Sequence, residues 1–170
     1  MAVHMDLIIP PVIIGLLIIM IFNVKSLMIE SSVNNRLNND MQTFAEVTAT
    51  VLQEEIKLIQ NFLDVKSDSI RYISTNRDTV LITRKGRDIQ IARYVMATSI
   101  RDTLIIPASL SNLQFIREPH DVAIPAFLRV RVETESLPEH HVQLKNGDLT
   151  VSGFAERRVL LRNVAVQANQ

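Results

Sequence analysis

The tripeptide Glu139-His140-His141 is the densest group of potential metal-binding or acid–base side chains in this chain of 170 residues. Imidazole and carboxylate groups ligate zinc, but adjacent residues of a strand point to opposite faces and rarely converge on one ion. No second group of His, Asp and Glu at ligand spacing supports the tripeptide. We therefore expect a solvated loop here, with no metal and no cofactor.

The sequence also lacks the motifs of common catalytic and nucleotide-binding sites. It contains no nucleophile elbow, no HExxH motif and no phosphate-binding loop, and it has only 4 glycines. The absence of cysteine excludes disulfides, thiol catalysis and cysteine-ligated zinc. We expect that the protein is not an enzyme and has no small-molecule substrate.

Basic residues cluster at Arg84, Lys85 and Arg87 and again at Arg157-Arg158. The formal net charge is nevertheless zero, and no aromatic residues accompany these clusters to stack on bases. Exposed charges that discourage strand edges from pairing explain the clusters better. We expect no nucleic acid partner.

The elements that organise the chain begin with an apolar run from Leu7 to Phe22, and no charged residue lies between Asp6 and Lys25. A bilayer span needs about 20 apolar residues, so the run predicts a retained transmembrane helix. A cleaved signal peptide is disfavoured because no basic region precedes the run and no small-x-small site follows it. A buried helix or an uncleaved signal remains an alternative. The flanking charges are too few to define the orientation.

The apolar pattern continues past Lys25 at steps of three and four, which predicts one amphipathic helix face. The residues of this face are Val33, Leu37, Met41, Phe44, Val47, Val51, Leu52, Ile56, Ile59 and Phe62. A continuous helix from Leu7 to Leu63 would be about 85 Å long. Its second half could form a coiled coil, pack on a domain, or do both. Because the apolar stripe strengthens toward the C-terminal end of the helix, we expect that end to pack on a sheet, with the asparagine-rich segment 31–40 as a weaker helical connection. A plain juxtamembrane linker is the alternative for this segment.

Beyond Asp64 the pattern alternates with a period of two, as in antiparallel strands bounded by turn residues. The predicted strands are 69–74, 79–84, 89–95, 101–106, 113–116, 127–133 and 154–164, with an exposed loop over 136–147. Gly86 is expected to supply a positive φ in a hairpin turn. In the strand from Phe127, the residues Leu128, Val130 and Val132 are expected to point inward.

These patterns predict an α+β fold in which a long N-terminal helix packs on an antiparallel β-sheet domain. The predicted divisions are a transmembrane segment over 1–25, an amphipathic stalk helix over 26–63 and the sheet domain over 64–170.

This layout resembles type IV pilins and the pseudopilins of type II secretion systems, above all the minor pilins. The resemblance covers nearly the whole chain and includes the hairpin around Lys85-Gly86 and the segment Leu113-Gln114-Phe115. It also includes the closing segment Phe154-Ala155-Glu156-Arg157-Arg158-Val159-Leu160-Leu161-Arg162-Asn163. The processing site of the family, a glycine followed by Phe-Thr-Leu-Ile-Glu, does not occur before Leu7.

The resemblance implies that the apolar helices leave the bilayer and bundle in a filament. Gly15 permits a close helix approach. The implied assembly interface comprises Asp6, Gly15, Leu16, Ile19 and Phe22. Asp6, the only acid before the apolar run, stands beside that run, whereas the family places a glutamate inside its apolar segment.

The function implied by the resemblance is structural: a pilin-like or pseudopilin-like subunit of a cell-envelope filament or secretion machine. Its partners would be the membrane, further copies of itself and other envelope-complex subunits. The implied location is the bacterial inner membrane with the domain outside the cytoplasm, or an extracellular filament. The alternatives are a non-polymerising, membrane-anchored adaptor that presents the β-domain to an envelope complex, and a DNA-uptake role at a filament tip.

Overall fold

The computed structural model describes residues 2–95, 100–119, 126–137, 142–144, 147–162 and 164. It contains one long helix, α1 (Ala2–Lys57), followed by ten strands. The strands are β1 (Ile59–Val65), β2 (Ser69–Ser74), β3 (Thr79–Lys85), β4 (Asp88–Val95), β5 (Ile100–Pro107), β6 (Leu110–Glu118), β7 (Phe127–Glu135), β8 (Val142–Leu144), β9 (Gly147–Leu149) and β10 (Ser152–Leu160). Contacts divide the chain into two compact units, residues 1–37 and 38–170.

All strand pairs described are antiparallel, and they form three sheets. β1 to β5 form a five-stranded meander in chain order, while β10, β7 and β6 form a three-stranded sheet and β8 pairs with β9. The two larger sheets are joined by backbone hydrogen bonds, from Phe115 N–H to Ser67 O (2.8 Å) and from Leu110 N–H to Arg87 O (2.8 Å). The predicted α+β class with a helix on antiparallel sheet is confirmed.

The core of unit 38–170 forms where one face of α1 packs on the inner faces of the two larger sheets. The helix contributes six buried residues: Met41, Ala45, Thr48, Ala49, Leu52 and Ile56. The five-stranded sheet contributes Ile70, Tyr72, Val80, Ile82, Ile89 and Ile91, and the three-stranded sheet contributes Leu113, Phe115, Leu128, Val130, Val132, Ala155 and Val159. Each fully buried Leu, Ile or Val side chain stabilises the fold by about 1.5–3 kcal/mol relative to its exposed state.

The helix comes closest to the sheet at Gly153 of β10. A Cβ atom at Gly153 would lie 2.2 Å from the Met41 carbonyl oxygen and 2.4 Å from the Met41 carbonyl carbon. The Thr134 hydroxyl of β7 donates a hydrogen bond to the same carbonyl oxygen (2.8 Å). Only glycine allows the backbones of α1 and β10 to approach this closely.

The predicted helix through Leu63 is wrong in its last six residues. α1 ends at Lys57, and Ile59–Val65 forms β1, which pairs with β2. Two register shifts, between Ile59 and Asn61 and between Phe62 and Asp64, interrupt this pairing. A bulge inserts an extra residue into a strand. The bulges therefore let Ile59, Phe62 and Val65 all contact the core at a spacing of three, which imitates a helix.

The single apolar helix face predicted from Val33 onward is also wrong, because it merges two faces. Met41, Leu52 and Ile56 are buried, whereas Phe44 and Val47 are exposed. At about 100° per residue, Phe44, Val47 and Val51 lie roughly 120° around the helix from the buried face. The predicted face left out the small buried residues Ala45 and Ala49, which belong to the face that packs on the sheets.

The predicted strands are largely confirmed, with changes in their lengths. The structure extends the predicted strand 113–116 to β6 and ends the last one at Leu160, and the predicted inward residues of β7 are buried. Gly86 has the expected positive φ of 66°. The predicted loop over 136–147 is wrong in part: Val142–Leu144 pairs with Gly147–Leu149, in segments too short to show a period.

The prolines of the apolar run lie inside α1 rather than in its first turn. The helix begins at Ala2, so Pro10 and Pro11 follow two turns of helix. Proline lacks a backbone N–H, so the carbonyls of Asp6 and Leu7 lose their usual i+4 donors at these two positions.

Gly153→Ala is expected to lower the free energy of unfolding by about 1–3 kcal/mol or more, because the added methyl forces α1 away from β10. Denaturant unfolding of the full chain in detergent, followed by circular dichroism, measures this difference. Ser152→Ala, at the exposed neighbouring position, serves as the control and is expected to change stability by less than about 0.5 kcal/mol. Equal stability of Gly153→Ala and the wild type would contradict the close approach.

Candidate membrane anchor and assembly surface

The apolar part of α1 is exposed along its length. The large apolar side chains from Val12 to Phe22 are 48–66% exposed, and the apolar character continues beyond Lys25 through Leu27, Met28 and Ile29. Within the described residues, one helix is long and apolar enough to cross a membrane, and none of its most apolar window, of mean hydropathy 2.5, is buried. Because contiguous exposed apolar surface of this kind marks a membrane or protein contact, the segment is the leading candidate for a functional site.

The predicted interface residues are distributed around this part of the helix. Gly15, Ile19 and Phe22 are spaced at i, i+4 and i+7, which places them on one face. Leu16 lies about 100° from Gly15 on the same side as Ile19. Leu16, Ile19 and Phe22 are exposed. Asp6 belongs to α1, but its side chain lies outside the described part of the structure.

Gly15 makes no side-chain-directed packing contact with any residue that the structure describes. A Cβ atom placed there would meet nothing within 4 Å. Glycine in a helix interior is about 1 kcal/mol less favourable than alanine, so its presence needs a compensating benefit. A close approach by another helix is one such benefit, since small residues let helix backbones come together in membranes.

The end of α1 is tied to the five-stranded sheet by a polar cluster. The Tyr72 hydroxyl of β2 donates to the Glu55 backbone carbonyl (3.2 Å), with a Glu55 carboxylate oxygen at 3.3 Å. Arg93 of β4 pairs with the same carboxylate at 3.0 Å. Burial raises the pKa of the Tyr72 phenol well above its usual range, and the Glu55 carboxylate raises it further. Tyr72 therefore remains a neutral donor at physiological pH.

The free edge of β10 is covered by a side chain of α1. The Gln42 amide donates to the Phe154 carbonyl (3.0 Å) and accepts from the Phe154 N–H (3.2 Å). This two-way pairing replaces the neighbouring strand that an edge lacks. The helix thus terminates the three-stranded sheet as well as filling its core.

Arg84, Arg87 and Arg158 of the basic clusters have partners within the domain. Glu118 pairs with Arg129 and with Arg158 (2.7 Å), and the guanidinium of Arg158 lies 3.9 Å from the centre of the Phe127 ring. Arg84 donates to the Gly86 carbonyl (2.8 Å) and Arg87 to the Glu135 carbonyl. Glu118 therefore neutralises Arg158, and backbone acceptors engage Arg84 and Arg87.

Glu139, His140 and His141 lie outside the described residues. Among the residues that are described, no group of three or more His, Cys, Asp or Glu side chains is arranged to hold a metal ion.

The sequence pattern did not reveal that Phe44 and Val47 of α1 are exposed and that Val51 is only half-buried. It had assigned them to the buried face, together with Leu52 and Ile56. The signal that could have separated them is the pair Ala45 and Ala49, whose small side chains mark the face that approaches the sheet most closely.

Comparison of the chain with models of protein families, with curated proteins and with solved structures found no match. The assignment of a function therefore depends on the physical features described above.

At neutral pH, Tyr72→Phe is expected to lower the free energy of unfolding by about 1 kcal/mol, the value of one side-chain hydrogen bond. Above pH 10, near the ordinary tyrosine pKa, the wild type should lose stability because only the unfolded chain releases the Tyr72 proton. The free energy of unfolding of the wild type would then fall by up to about 1.4 kcal/mol per pH unit. Chemical unfolding of both proteins between about pH 8 and pH 11 measures it.

Tyr94→Phe is the control, since Tyr94 is exposed. It should retain the alkaline loss that Tyr72→Phe removes. An unchanged alkaline slope in Tyr72→Phe would contradict the role given to this phenol.

Proposed function

We propose that this chain is a membrane-anchored, pilin-like or pseudopilin-like structural subunit of a cell-envelope filament or secretion machine. The observation that carries the proposal is the exposed apolar stretch of α1, which belongs to the same helix that fills the core of an antiparallel domain. A soluble domain gains nothing from such a stretch, because about 25 cal/mol is lost for each Å² of apolar surface left in water.

The proposed mechanism is an exchange of contacts. In the membrane, the apolar side chains between Val12 and Ile29 contact lipid. On assembly they contact the same stretch of neighbouring copies, and the aliphatic side chains suit both surroundings. Little hydrophobic free energy separates the two states, since lipid tails are as apolar as leucine. Close packing around small residues would then determine the preference, and Gly15 is placed to allow it.

The proposed location follows from the resemblance and from the helix. The segment anchors the chain in the inner membrane, and the domain lies outside the cytoplasm or on the assembled filament. A subunit of this kind needs no catalytic centre, and its partners are the membrane, further copies and related envelope proteins.

Gly15→Leu is expected to reduce self-association several-fold while leaving membrane insertion intact. Leucine blocks the close helix approach, yet it favours insertion by about 0.5 kcal/mol on the translocon scale. Membrane fractionation measures insertion, and cross-linking in native membranes measures association. Leu17→Phe adds bulk on the opposite side of the helix and serves as the matched control. Normal association of Gly15→Leu would count against the proposal.

Assembly can be tested directly because the chain has no cysteine. With Ile19→Cys and Val33→Cys in one chain, oxidation of membranes and of sheared material should give a ladder of multimers, enriched after shearing. Monomers alone would instead favour an anchored adaptor that does not polymerise.

A further inference from the structure

Unit 38–170 carries a ridge on α1, formed by the exposed Phe44 and Val47 and the half-buried Val51. Phe44 is 44% exposed and Val47 is 56% exposed. Asp40 and Glu54 flank the ridge at either end, one turn beyond Phe44 and Val51. Between Arg36 and Lys57 the helix contains four acidic residues and no basic one. Lys57 pairs with Glu54 (2.6 Å), so the acidic character of the ridge is strongest at its Asp40 end.

The outer face of the five-stranded sheet, in contrast, combines apolar residues with basic ones. In the strand register, Arg71, Leu81 and Ala92 lie side by side on neighbouring strands. Tyr94 and Arg101 form the adjacent pair, two residues further along β4. A depression of about 300 Å³ lies among these residues. Ile105 of β5 lies on the same outer face, opposite Gln90. We call the surface formed by Arg71, Leu81, Tyr94, Arg101 and Ile105 the basic face.

The basic face has features of a contact surface. Tyr94 is 45% exposed and Ile105 is 53% exposed. Neither Arg71 nor Arg101 has an ion pair with any residue that the structure describes, in contrast to the paired arginines of the three-stranded sheet. β5 is also the last strand of its sheet, paired with β4 alone among the described strands. Aromatic and arginine side chains together are typical of interface centres.

The two surfaces of one copy cannot meet each other. α1 packs on the inner side of the five-stranded sheet, where Tyr72 and Arg93 contact Glu55, whereas the basic face is on the outer side. The ridge and the basic face are complementary in charge. Asp40 beside the ridge, like Arg71 and Arg101, has no ion pair with any described residue, whereas Glu54 pairs with Lys57 (2.6 Å). A contact between different patches of identical subunits is heterologous, and it produces an open chain unless the rotation closes a ring.

We propose that the ridge of one copy docks on the basic face of the next copy. The inference rests on the proposed function, since it supplies a second contact between subunits that the apolar helix already brings together in the same orientation. Membrane anchoring raises the local concentration of copies, so a small surface suffices. Asp40 and Glu54 then approach Arg71 and Arg101, and Val47 contacts the apolar part of the basic face.

Disulfide cross-linking of the full chain in native membranes tests the contact. A chain with Val47→Cys and Ile105→Cys is expected to form a ladder of multimers on oxidation. Each single variant should form no more dimer than the cysteine-free chain, because the contact pairs unlike patches. Efficient dimers from Val47→Cys alone would mean that two ridges pack together and would overturn the proposal.

The experiment separates this proposal from the function on which it rests. If the Ile19/Val33 ladder forms and the Val47/Ile105 ladder does not, the docking contact is wrong and the assembly function stands. If neither ladder forms, both are wrong. Formation of both ladders supports both.

Charge reversal provides a second test with an internal rescue. In the Val47/Ile105 cysteine chain, Arg71→Glu with Arg101→Glu should reduce the ladder about tenfold, as should Asp40→Lys with Glu54→Lys. All four changes together should restore it to within about twofold, because opposite charges again face each other. Arg162→Glu, at an exposed position on neither surface, is the matched control. Failure of the combined variant to recover would contradict the proposed pairing.

Discussion

The close contact between α1 and β10 is the constraint on which the domain depends. At Gly153 the strand approaches the helix so closely that the backbone of Met41 occupies the space where a side chain would begin. Ala45 and Ala49 continue this close approach along the helix, and Thr134 fixes its position through the Met41 carbonyl. Small residues on the helix and a glycine on the strand thus let one helix serve as the core of two sheets.

Both sheets depend on the same helix for their inner faces and, in part, for their edges. Gln42 completes the edge of the three-stranded sheet, and Glu55 joins the end of the helix to the five-stranded sheet through Tyr72 and Arg93. The part of α1 that fills this core is buried, whereas the large apolar side chains between Val12 and Phe22 are exposed. In the proposed function, lipid or other subunits surround the exposed part, and the domain needs no contribution from it.

Much of the fold could be predicted from the sequence because its signals are local. The alternation in β7 and the turn at Gly86 each depend on a few neighbouring residues, and both are confirmed. The end of α1 could not be predicted, since two bulges give β1 the apolar spacing of a helix. A segment long and apolar enough to span a membrane is evident from composition alone. The basic face could not be predicted from composition. Arg71 and Arg101 are thirty residues apart, and only the register of four strands brings them to the same face of the sheet.

In the proposed function, the apolar stretch of α1 contacts lipid in the anchored chain and other copies in the assembled one. A spin label at Ile19→Cys tests it through collisions with molecular oxygen, which concentrates in lipid, and with a water-soluble nickel complex. In membranes, the label is expected to be highly accessible to oxygen and poorly accessible to the nickel complex. In sheared material, low accessibility to both is expected, with broadening from neighbouring labels. A label that the nickel complex reaches in membranes would contradict the lipid contact. A label that oxygen reaches equally well in sheared material would contradict the contact between copies.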